Sequence, residues 1–254
     1  MPGIRNSGAL ALGGILLAAV LTVIGHAGVS DLDPVSLTVS DYAVSDSGEV
    51  IHLAMLLLAA ASAVLIPALS RLDQPESDRP AGTPAPVGRR GPYAEWLLAV
   101  WAGGLLVSGL VPTNPPGTDM GTAAYVHRYA SVVAFLALPI AGWLLAARLP
   151  AGARTGIWLR TLTVTSLLLA VAMAWSAYPG DRAYYGLIER ALILAEVALL
   201  TVVAATLAAT ANGRAVVAPH KSREPALADD HNRMIGEGPG VIRVREASAG
   251  GRLR

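Results

Sequence analysis

The chain has 254 residues, of which 54% are hydrophobic and only 15% charged, with a formal net charge of +1. A soluble domain carries about a quarter charged residues, so this composition belongs in a membrane, and the near-neutral charge offers no field for nucleic acid. The absence of cysteine excludes disulfides, thiolate chemistry and cysteine metal sites.

A helix that crosses a bilayer needs about 20 mostly apolar residues. Taken in chain order, six stretches qualify: 8–26, 50–69, 94–111, 126–147, 158–178 and 187–209. They are too long for barrel strands, so an all-α bundle of six transmembrane helices is predicted, with the lipid bilayer as its first partner. Gly25 and Ala27 stand at a spacing that a signal-peptide cleavage site would have. The apolar run before them exceeds the usual signal core of about 7–15 residues, so an uncleaved first helix is expected. The first connection carries Asp31, Asp33, Asp41, Asp46 and Glu49 and no base. The second, 70–92, is rich in proline and charge and reads as a flexible loop. Pro67 and Pro139 fall within spans and should kink them, and "GGLLVSG" from Gly103 to Gly109 offers a flat surface for helix contact. After the sixth span, residues 210–254 mix Gly, Pro and charge without apolar periodicity and read as a disordered tail.

Lysine and arginine set the orientation. With the N-terminus (1–7) inside, 16 of the 19 fall on the cytoplasmic side, leaving Arg128, Arg182 and Arg190 outside. Both termini are therefore expected in the cytoplasm. Tyr125, Tyr129, Trp175, Tyr178, Tyr184 and Tyr185 then gather at the outer interface, and Tyr93, Trp96, Trp143 and Trp158 at the inner one.

Three segments occur in this order: "DPVSLTVSDYAVSDSG" before the second span, "GTAAYVHRYAS" opening the fourth and "GLIERALILAEVALL" opening the sixth. Together they resemble the uncharacterised bacterial membrane family catalogued as domain of unknown function 998, over roughly residues 8–209. The resemblance implies a six-helix integral membrane protein. It brings no activity and no residue roles.

Candidate chemistry gathers at the outer boundary. His26 ends the first span, His52 opens the second and His127 opens the fourth; Glu49 lies three residues before His52, on the same helical face. Asp41, Asp46, Asp119, Asp181 and Glu189 share that level. Imidazoles with carboxylates suit zinc, giving His26, His52, His127, Glu49, Asp119 and Glu189 as candidate ligands. They equally suit acid–base work by His52, His127 and Glu49, and His52 with His127 would suit haem. The plain alternative is that acids such as Asp46 and Glu49 cap a helix, Asp41 and Tyr42 fold the loop, and Arg190 pairs with Glu189 or a loop acid. Glu196 is different, because it sits near the middle of the sixth span, where a carboxylate is expensive. It is a candidate for proton-coupled transport, or else an acid hydrogen-bonded to Thr163, Thr165 or Ser166. No phosphate-binding, dinucleotide-binding or nucleophile-elbow motif occurs. Three functions stay open: a binding or scaffold component with a polar outward pocket that takes a lipid, small molecule, protein partner or second copy; a membrane-embedded enzyme; and a proton-coupled transporter.

Overall fold

The computed structural model describes residues 3–29, 32–45, 48–72, 91–149 and 153–214. Among these residues every regular element is helical: α1 (Ile4–Ala27), α2 (Val39–Tyr42), α3 (Gly48–Leu72), α4 (Tyr93–Leu110), α5 (Thr122–Ala146), α6 (Ala153–Ala177) and α7 (Tyr185–Arg214). All but α2 are long and apolar enough to cross a membrane. Each span overlaps the stretch its hydropathy predicted, with ends moved by up to five residues. Most of the expected loop and tail, 73–90 and 215–254, lies outside the described residues, as does Asp46.

The six long helices stand in a ring in chain order, and α7 returns to pack against α1. Lipid gives apolar helices no hydrophobic reason to associate, so small residues that allow close approach must hold the ring. They do so at the seams. A side chain on Gly8 of α1 would come within 2.5 Å of the Ala208 nitrogen of α7. One on Gly104 of α4 would meet the Ala130 carbonyl and Ala134 Cβ of α5 at 2.8 Å. In the "GGLLVSG" run, then, Gly104 faces α5 and Gly109 faces Leu56 of α3, while Gly103 faces open space. Helices α3 and α5 continue through Pro67 and Pro139. Trp101, 1% exposed, fills the middle of the bundle and donates from Nε1 to Ser62 Oγ at 3.0 Å. The aromatic residues expected at the two interfaces are exposed on the outside of the ring, from Tyr93 and Trp96 at one end to Tyr129, Trp175 and Tyr178 at the other. Tyr185 is the exception, half-buried in the first turn of α7.

At one end, Glu95 in the first turn of α4 and Arg148 just beyond α5 form a two-pronged ion pair; Nη1 donates to Oε2 at 2.7 Å and Nη2 donates to Oε1. The opposite end is closed by the segment around α2. That cap lies on the first turn of α7: Leu187 N donates to the Val35 carbonyl at 3.1 Å, and Gly186 passes so close under the Leu37 carbonyl that no Cβ would fit. The α6–α7 turn is tight, with Asp181, Arg182 and Tyr184 all at positive φ, near 50–59°.

Candidate functional site

The cap is built by local rules. Thr38 and Asp41 form a capping box: Asp41 N donates to Thr38 Oγ1 at 3.1 Å, and Thr38 N donates to Asp41 Oδ2 at 2.7 Å. This fixes α2, and three side chains dock it. Glu189 Oε2 accepts from Val39 N. Tyr42 donates its hydroxyl to the Leu32 carbonyl at 2.8 Å. Ser40 Oγ lies 2.9 Å from His127 Nε2.

Beneath the cap is a cavity of about 210 Å³, walled by α1, α3, α4, α5 and α7. Its body is apolar, with Ala54, Leu58, Leu105, Phe135 and Val197 among its walls. Its polar groups are Thr22, Ser40, Ser108, Ser131 and Glu189, and of these Ser40 belongs to the cap and Glu189 is bonded to it. Val23 of α1 and Leu194 of α7 also line it and are 68% and 69% exposed, which places its mouth on the lipid-facing side between those helices. Glu189 is 4% exposed. One of its oxygens is held by Val39 N; the other takes no hydrogen bond and, unlike the oxygens of Glu196, is not sealed by packing.

The six candidate ligands do not form one site. His127, 3% exposed, is bonded at both ring nitrogens, Nδ1 to the Val111 carbonyl at 2.8 Å and Nε2 to Ser40. His52 Nδ1 donates to the Gly109 carbonyl at 2.9 Å, and with exposed Glu49 it lines a surface groove beside Leu110 and Pro112. His26 stacks on Tyr42 at 4.5 Å, with Nδ1 on the Thr22 carbonyl and Nε2 accepting from Arg190 at 3.1 Å. Asp119 is exposed in the α4–α5 loop. Among the described residues, no three His, Asp or Glu side chains are placed to hold a metal ion. A haem iron bound at His127 Nε2 would have to displace Ser40. What His52 and His127 share is a task. Both satisfy carbonyls that the end of α4 leaves without helical partners.

Two expected pairings are corrected. Arg190 does not pair with Glu189 or a loop acid. It donates to the carbonyls of Pro34, Leu37 and Gly186 and to His26, and its guanidinium lies 5.0 Å from the Tyr42 ring. Adjacent helical residues point about 100° apart, so Glu189 enters the cavity while Arg190 reaches the cap. Glu196 does not bond to α6: both its oxygens and Ser166 Oγ are buried without a partner. Thr163 donates instead to the Pro139 carbonyl at 3.2 Å, and Thr165 is exposed. The residue that sequence reasoning passed over is Ser40. The "TVSD" box signalled its helix, but nothing in the sequence links it to position 127.

Six long apolar helices closed into a ring define a multi-pass helical membrane protein. A family model described as "Protein of unknown function (DUF998)" matches residues 11–206, and the chain belongs to that family. No curated protein and no solved structure matches it.

Proposed function

We propose that this is a binding protein of the cell membrane, with both termini in the cytoplasm and the α2 cap outside, which holds an amphiphile in its central cavity. The apolar tail lies among Leu58, Leu105, Phe135 and Val197, and a head that donates hydrogen bonds, an amine or hydroxyl, meets Glu189. The observation that carries this reading is the polarity of the cavity, apolar through its body with a buried, half-satisfied carboxylate at the cap. A buried acceptor without a donor is unfavourable by about 1–3 kcal/mol, and a bound donor removes that penalty. The placement of 16 of 19 Lys and Arg residues supports the orientation. The lateral mouth between α1 and α7 gives an amphiphile a path from the bilayer.

The test uses a variant in which Trp101, which lines the cavity, is the sole tryptophan. In detergent micelles, 11-bromoundecylamine should quench it saturably. Ala54→Phe, which fills the cavity, should abolish saturation, and Glu189→Gln should weaken it. Linear quenching that is the same in all three proteins refutes the reading.

A further inference from the structure

We infer that Ser40 is a nucleophile and His127 its general base, for acyl transfer from an amphiphilic ester held in the central cavity; this rests on the cavity-binding reading above. The tautomer of His127 follows from its partners. The Val111 carbonyl can only accept, so Nδ1 carries the proton, and the lone pair of Nε2 points at Ser40 Oγ, 2.9 Å away. That is the distance at which a hydroxyl hands its proton to a base as it attacks. A backbone carbonyl orients the imidazole, the position that a carboxylate fills in a triad.

Both groups are held in place. Ser40 rides on α2, fixed by its capping box and by Glu189 on Val39 N. The start of α5 is held through the His127 carbonyl, which accepts from Ser131 at 3.0 Å, with Ser108 Oγ bonded to Ser131 Oγ at 2.9 Å. His127 is buried, while Ser40 is only partly covered and forms part of the cavity wall. Ser40 thus lines the cavity, His127 does not, and the hydroxyl joins the two.

The chemistry balances with water as the second substrate. Ser40 Oγ bonds to the acyl carbon and its proton passes to Nε2. The ester C–O bond breaks, and Nε2 returns the proton to the departing alcohol oxygen. Water then adds to the acyl carbon with Nε2 taking its proton, the bond to Oγ breaks, and Ser40 recovers its proton as the carboxylic acid leaves.

Two probes test this on the full chain in micelles. An alkyl fluorophosphonate should label Ser40, located by peptide mass spectrometry. p-Nitrophenyl decanoate should release a burst of p-nitrophenolate. Ser40→Ala should remove both while keeping saturable Trp101 quenching by 11-bromoundecylamine. His127→Gln should slow labelling by about 100-fold or more, the span of general-base catalysis. Ser70→Ala, near the end of α3 away from the cap, should label at a rate close to the parent. If Ser40 is unlabelled in the parent protein, or labels as fast in His127→Gln, the inference is overturned. If Ser40 labels but Trp101 quenching does not saturate, the dyad stands and the amphiphile-binding reading alone fails.

Discussion

The ion pair between Glu95 and Arg148 is the only charged contact of its kind among the described residues that is both two-pronged and sealed from solvent, with side chains 8% and 7% exposed. It ties the start of α4 to the end of α5. Glu95→Ala removes the carboxylate and leaves the guanidinium buried. Breaking a buried pair in this way is destabilising by about 3–5 kcal/mol, which is a change of roughly 10²- to 10³-fold or more in the unfolding equilibrium. Arg148→Met leaves the opposite charge and should lose a similar amount. The double variant Glu95→Leu with Arg148→Met leaves no charge to strand, and an apolar replacement of a buried pair is often neutral. It should lose far less than the sum of the two single losses. Unfolding by SDS in mixed micelles, followed by tryptophan fluorescence, gives all three values. Single losses under about 1 kcal/mol, or a double loss equal to their sum, would refute the reasoning, because either shows that the two charges are not coupled.

Three further expectations follow. Single cysteines at Ser36 and Thr118 should react with an impermeant maleimide in whole cells, and those at Thr83 and Ser222 only after lysis; the reverse pattern inverts the orientation. Glu196→Leu should raise stability by about 1–3 kcal/mol in the same SDS titration, since it deletes two buried acceptors without donors, and a lower stability would show that the carboxylate has a partner in the membrane. The Asp33 carboxyl is held below the usual range, chiefly by the Ser36 hydroxyl at 2.6 Å and then by Val35 N at 3.0 Å. A depressed carboxyl stabilises its turn above its ordinary pKa, so the contribution is complete at neutral pH and lost as pH falls through the lowered value. An NMR titration followed at the Ser36 amide should give a midpoint below about 3.9 that rises in Ser36→Ala; equal midpoints would exclude the hydroxyl as the cause.

The spans were legible because length and hydropathy alone decide whether a helix can cross a bilayer. The level of the histidines was legible too, since each flanks a span. Their partners were not. His26, His52 and His127 settle on carbonyls, a serine and an arginine, and such contacts depend on helix rotation and on how the first connection folds back. Reading the three histidines with Glu49, Asp119 and Glu189 as a shared ligand set overlooked the backbone, whose own unpaired groups at helix ends take polar side chains first. Thr38 and Asp41 show the legible part of the cap, a four-residue signal read locally. Ser40 shows the illegible part, because its partner lies 87 residues away.

The seam between α1 and α7, where Gly8 meets Ala204 and Ala208, has a consequence for biogenesis. The ribosome makes α1 some 180 residues ahead of the end of α7, an interval of roughly 10–40 s at ordinary elongation rates. For that time α1 waits in the bilayer with α3 as its only neighbour from the ring, and the cap has no α7 on which to rest. Insertion of the last helix is thus the assembly step: it closes the circle, seats α2 and encloses the central cavity.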